Sequence, residues 1–344
     1  MHLICLLMIS GITSPSLPAP TTQSSGSPYH VIRTAKVGGD GGFDYVYADP
    51  AGRAVYIARS GPTPRVNIFN LDTLEPLGEI PKASARGAAV DAKSHHGFCS
   101  SKPVVMWDTK TMAVLKTIDV DGRPDGILGD PYTQRIYIPS HSAPNVTVID
   151  AKDGFVVGTI DVGGAPEQSA VDGHGHLFVD LEDKDAVAVV DTKTLKVLTT
   201  YSLNGKGGGN SGMGLDAKNH VLFVACNEPA VMVMLDSNTG KYLADLPIGT
   251  GVDGAGFNPR TGEAFSSQGD GTLTIIKETS PTTFVVEQTL KTMPGAKTMT
   301  IDSKTGKVYL IAAEYGPATA PANGGRQRRG PMVPGSFSII EVGK

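Results

Sequence analysis

Cysteine is scarce in this chain: Cys5, Cys99 and Cys226 are the only three among 344 residues, and no two form a C-x-x-C pair. That excludes a disulfide-built scaffold, a zinc ribbon and covalent c-type haem attachment. Tryptophan occurs once, as Trp107 inside a strand-like run, so no exposed stacking platform for bases is encoded. Neither sign of charge dominates, with 30 Lys and Arg against 34 Asp and Glu and a net charge of −4. Such a balance argues against a chain built mainly to grip phosphate backbones. The motifs G-x-S-x-G and H-E-x-x-H and the Walker loop are missing. Gly207, Gly209 and Gly212 do spell G-x-G-x-x-G. A strand follows them rather than a helix, which removes the dinucleotide reading. No catalytic residue, resident metal or cofactor is assigned.

Long apolar runs are missing too. The longest candidate, residues 3–12 (LICLLMISGI), is too short to span a bilayer. A Ser/Pro/Thr-rich stretch follows it, the layout of a secretory signal and linker, although Met1 and His2 supply no basic residue. Residues 1–27 are therefore expected to be leader and linker. The mature chain is expected to be exported, periplasmic or extracellular, with no membrane span, and monomeric.

What the chain has in abundance is glycine, 42 of 344 residues or about 12% against a typical ~7%. Turn residues punctuate a repeat. Apolar runs end in Asp49, Asp91, Asp130, Asp172, Asp216, Asn258 and Asp302, and their numbers differ by 42, 39, 42, 44, 42 and 44. A second set, Asp72, Asp108, Asp150, Asp191, Asp236, Glu278 and Glu341, marks another strand end in each copy. A period near 40–45 residues carrying four strands is a β-propeller blade. The seventh copy contains three strands, and a surplus strand lies at residues 29–37 (YHVIRTAKV). The expectation is an all-β, seven-bladed propeller of four-stranded antiparallel blades over residues 28–344. The N-terminal strand completes the last blade, because an unclosed ring leaves a sheet edge bare. A Pro/Gly-rich insertion, 313–335, interrupts blade seven and holds Arg326, Arg328 and Arg329.

One set of positions stands out within the repeat. Five residues before each first anchor come Asp44, Arg86, Asp125, Glu167, Ser211, Asp253 and Lys297. Six of these seven are charged, in strands that otherwise read small and apolar, and they fall at one mouth of the central channel. Mouth loops on a rigid ring are where propellers bind ligands. The ring then forms a polar funnel for a zwitterionic small molecule, a peptide or protein end, or a divalent cation. The alternative is that the charges pair with one another, Arg86 with Asp44 or Asp125, and merely hold the ring in register.

Other candidates carry a plain reading beside the functional one. Asp180, Glu182, Asp183 and Asp185 are an oxygen-rich loop that could bind calcium, or a solvated β-loop. His95, His96, His174, His176 and His220 lie in or next to turns of the opposite face, where His95-His96 and His174/His176 could chelate a metal or, as exposed turn histidines usually do, ligate nothing. His141 is the one histidine near the mouth. Arg326, Arg328 and Arg329 could attract anions, nucleic acid included, or be a solvated loop.

The stretches GGDGGFDY at 38–45, Pro124-Asp125, Gly163-Gly164, Pro166-Glu167, Leu181 to Lys184 and Gly251-Val252-Asp253 carry a family likeness. So do SSQGDGTL at 266–273, Gly295 to Met299 and Gly335-Ser336-Phe337. With these, residues 29–344 resemble the YVTN β-propeller repeat proteins, in particular the YncE-like exported seven-bladed propellers. The resemblance implies an exported binding propeller. Two mouth loops depart from the family: residues 83–88 (ASARGA) replace a His-Gly pattern, and residues 207–213 (GGGNSGM) replace a loop containing Cys and Pro. A more distant likeness is to haem d1 and nitrous-oxide reductase propellers, whose metal-binding histidine sets are not visible here. The alternatives to a binding module are a lactonase-like hydrolase and a nucleic-acid binder. The first would hold a metal on several of Asp44, Asp125, Glu167 and Asp253; the second would use the arginine loop.

Overall fold

A computed structural model describes residues 28–142, 145–317 and 330–344. The expected leader, and Arg326, Arg328 and Arg329, lie outside the described residues. The chain forms seven four-stranded antiparallel sheets. Their innermost strands are Gly42–Asp49, Ala88–Asp91, Leu128–Asp130, Pro166–Val171, Asn210–Asp216, Val252–Asn258 and Met299–Ile301. Six blades are each built from four consecutive strands. The seventh takes its outer strand, His30–Lys36, from the other end of the chain. That strand pairs antiparallel with Ser338–Gly343, from His30 opposite Gly343 to Lys36 opposite Ser338. The ring therefore closes as the repeat count requires, and no helix among the described residues is long and apolar enough to cross a membrane.

The reason for the ring is visible in its packing. Each sheet buries both faces against neighbours. Between blades one and seven, Val55, Ile57 and Phe69 meet Tyr309, Ile311, Phe337 and Ile339. Between blades one and two, Trp107 is fully buried against Tyr56, with ring centroids 5.9 Å apart. The single tryptophan is core, as its strand position implies. Cys99 and Cys226 are buried free thiols. At the axis the innermost strands converge, and glycine is required where they touch. A Cβ on Gly212 would stand 3.0 Å from the Ala255 nitrogen, and one on Gly254 would stand 3.1 Å from the Met299 nitrogen.

The recurring turn acids work as local caps. Asp49 accepts from the N–H of Ala51 and Gly52 at 2.9 and 3.0 Å. Asp130, Asp216, Asn258 and Asp302 repeat this two residues on, at Tyr132, Lys218, Arg260 and Lys304. Three of the second anchors do not stand at the expected strand ends. In blade one the cap is Asn70, which receives the N–H of Asp72 and Thr73, and Asp72 instead pairs with Arg53. Glu278 and Glu341 lie inside strands rather than at turns, Glu341 bridging Arg33 and Lys307.

The glycine-rich stretch 38–42 also has a definite task. Arg59 is fully buried, stacks 3.8 Å over the Phe337 ring, and donates to the carbonyls of Gly38, Gly39, Asp40 and Gly41. Burial pushes its pKa down to about 10. Carbonyl oxygens, not a carboxylate, therefore receive most of this buried cation's hydrogen bonds at the closure seam.

Candidate functional site

Each mouth residue stands at or just before the start of an innermost strand, so the fold places one per blade around the channel. Six of the seven sequence-picked residues line one cavity of about 140 Å³: Asp44, Arg86, Asp125, Glu167, Asp253 and Lys297. Ser211 does not line it. Its hydroxyl is buried, donates to the Val252 carbonyl at 2.9 Å, and accepts from Asn227 at 3.0 Å. Three further residues share the cavity: Tyr45, Arg123 and His141.

Part of the charge is internally paired, as the plainer reading of the ring expects. Arg86 sits 2.6 Å from Asp44 and 2.8 Å from Asp125. Lys297 is hydrogen-bonded to Asp253. Burial works against both cations, yet these carboxylates outweigh it and raise their pKa values. Glu167 has no such cation. Burial first, then Asp125, Asp253 and Glu182, push its carboxyl up to about 8. Asp253 is pushed to about 6 by burial, with Lys297 opposing, and Asp125 is raised chiefly by burial. The mouth therefore holds more buried carboxylate than its cations neutralise.

His141 is the residue that counting back from the anchors misses. It lies in the loop after the second strand of blade three, Arg135–Ser140, and not on an innermost strand. Backbone bonds lock that loop beside Asp125: Asp125 N–H to the Pro139 carbonyl at 2.9 Å, and His141 N–H to the Arg123 carbonyl at 3.2 Å. His141 Nδ1 approaches Glu167 Oε1 to 3.0 Å and Asp125 Oδ2 to 3.9 Å. Its Nε2 faces Glu182 Oε2 at 3.8 Å. The only sequence signal was its being the sole histidine on the mouth side.

A second, larger cavity of about 460 Å³ adjoins the first and shares Asp44, Arg86 and Arg123 with it. Its wall adds Lys102, so three cations line this cleft against one acid. Deeper in, a cavity of about 360 Å³ runs along the channel. Its wall is largely apolar, with Ile127, Met213, Phe257 and Ile301, and includes Glu167.

The other sequence candidates resolve into structural roles. Asp180 is fully buried and accepts from Asn210 at 2.9 Å. Asp183 accepts the Ala165 N–H at 2.6 Å and Asp185 the Gly209 N–H at 3.1 Å. These loop acids spread over three backbone and side-chain partners rather than around one point. On the opposite face, His96 bonds the Ala151 carbonyl at 2.9 Å. His174 and His176 both bond Asp172. Among the described residues, the grouping of His, Cys and acidic side chains close enough to share an ion is Asp125, His141 and Glu167. Of the four acids expected to share a funnel metal, Asp44 and Asp253 are held by Arg86 and Lys297.

No family model matches the sequence, and no curated protein matches it. The fold does match solved structures. A chain of a structure described as a mitotic checkpoint complex overlays with a TM-score of 0.71 at 12% identity. The overlay covers 90% of this chain and 96% of that one. At that identity the likeness establishes the seven-bladed propeller and nothing finer.

Proposed function

We propose that this protein is an exported binding propeller of the YVTN/YncE-like kind, taking a small polar ligand at its charged mouth. Residues 1–27 serve as leader and linker, and residues 28–344 act as one monomeric binding unit in the periplasm or outside the cell. The observation that carries the reading is the pairing of two connected cavities of opposite character. One is acid-rich and holds Glu167 without a dedicated cation. The other presents Arg86, Arg123 and Lys102.

Size sharpens this. Pockets that bury a whole small molecule measure roughly 300–1,000 Å³. The acid-rich cavity, about 140 Å³, accepts only an ion or the polar head of a ligand, whereas the cationic cleft, about 460 Å³, has room for the rest. A zwitterion such as a peptide end fits both, its carboxylate meeting the guanidinium of Arg123 and the ammonium of Lys102.

The test is calorimetric titration of the full chain with tri-alanine and with citrate. Binding is expected, with Lys102→Ala and Arg123→Ala each weakening it roughly tenfold, the equivalent of about 1.4 kcal/mol. No binding of either probe, or binding unmoved by both substitutions, contradicts the reading.

A further inference from the structure

We infer that Asp125, His141 and Glu167 form a three-ligand site for a divalent transition metal of the zinc class in the acid-rich cavity. This deepens the reading of the mouth as a binding site and rests on it. Each of the three residues offers one ligand atom, and these atoms all lie within 4.8 Å of one another. The two separations from His141 Nδ1 are 3.0 and 3.9 Å. Zinc bonds of about 2.0–2.2 Å in a tetrahedron put ligand atoms roughly 3.3–3.5 Å apart. The two separations from His141 Nδ1 bracket that spacing.

The carboxylate oxygens facing away are held as well. Arg86 Nε lies 2.8 Å from Asp125 Oδ1. The Tyr45 hydroxyl donates to Glu167 Oε2 at 3.2 Å. Glu182 Oε2 stands 3.8 Å from His141 Nε2. Metal-binding histidines and carboxylates are oriented in this way, the outer nitrogen toward a carboxylate and the outer oxygens toward donors. The inward nitrogen gives an independent sign. His141 Nδ1 is buried and makes no hydrogen bond of good geometry, although Glu167 is only 3.0 Å away. A histidine placed simply to neutralise Glu167 would aim its N–H along that contact.

The donor set selects the metal. Calcium takes six to eight oxygens, whereas one imidazole and two carboxylates suit zinc or its neighbours and leave a coordination position open. The same cavity is lined by Arg123 and adjoins the cationic cleft. A ligand carboxylate held in that cleft is the group that fills the open position.

The experiment uses the full chain stripped of metal with a chelator, then titrated with Zn²⁺ by calorimetry and with Co²⁺ by visible absorption near neutral pH. One equivalent is expected to bind, with visible Co²⁺ bands and no competition from Ca²⁺. His141→Ala should weaken binding by about 100-fold, Asp125→Asn and Glu167→Gln by at least tenfold, and Glu182→Gln by roughly tenfold through the imidazole orientation. Ser211→Ala, whose hydroxyl lies outside the cavity, should bind as the parent does, and thermal melts confirm that each variant folds. Absence of Zn²⁺ and Co²⁺ binding, or His141→Ala binding like the parent, overturns the site. Metal binding without tri-alanine or citrate binding contradicts the ligand reading alone, and ligand binding without metal contradicts this one alone.

Discussion

The two faces of the ring use the same residue type in opposite ways. On the turn face, most carboxylates sit among donors; Glu278, which burial and then Asp216 push up to about 7, is the exception. Asp108 and Asp191 are held below the usual range by the backbone N–H and hydroxyl groups of Thr111 and Thr194. Asp172 and Asp302 are held low in spite of some burial, the first by the His176 and His174 N–H groups, the second by Thr305 and Arg53. At the mouth, Asp125, Glu167 and Asp253 are buried among other acids and raised. A carboxylate whose lone pairs are taken up by its own turn is part of the scaffold. At the mouth, a buried one left facing its own kind is the feature on which the proposed binding site rests.

The largest effect expected on that contrast comes from removing residues 28–38. This strips the outer strand of blade seven. It also removes Arg33, which ties Glu341 to the carbonyls of Asp72 and Thr73 on the turn face. Native domains are stable by only about 5–15 kcal/mol, so a thermal melt should show most of the cooperative transition gone. Next comes Asp302→Ala, which deletes a fully buried carboxylate serving Arg53, Lys304 and Thr305. It should cost about 2 kcal/mol in denaturant unfolding and leave mouth binding unchanged. Smallest is Ser211→Ala, which removes a hydroxyl engaged only with Val252 and Asn227. About 1 kcal/mol of stability should be lost, with no change at the mouth. A Ser211→Ala loss of binding would blur the boundary drawn here between scaffold and site.

The fold was legible because a propeller writes its architecture into a period. Asp49 through Asp302 recur where a turn needs an acceptor, and the surplus N-terminal strand matches the gap in blade seven. Ring position followed from the same count, which is why Asp44, Arg86, Asp125, Glu167, Asp253 and Lys297 meet in one cavity. Three things escaped it. Ser211 holds its place in the count, but its side chain turns to the neighbouring strand. His141 enters from a loop whose length the period does not govern. Asn70 rather than Asp72 caps its turn because only the backbone hydrogen-bond register separates two polar candidates two residues apart.

The contrast between the faces is tested most directly by melting the metal-free protein across pH, with Glu167→Gln beside the parent. Glu167 rises from 4.5 when exposed to about 8 in the fold, so the folded chain holds this proton more tightly than the unfolded one. Its ionisation thus weakens the fold progressively as pH climbs from about 4.5 through 8, and removing the charge should relieve that loss. The two chains should melt nearly together at about pH 5, and the variant should melt higher by several degrees at about pH 8.5. A difference that stays constant over this range, or a parent that gains on the variant as pH rises, would contradict it.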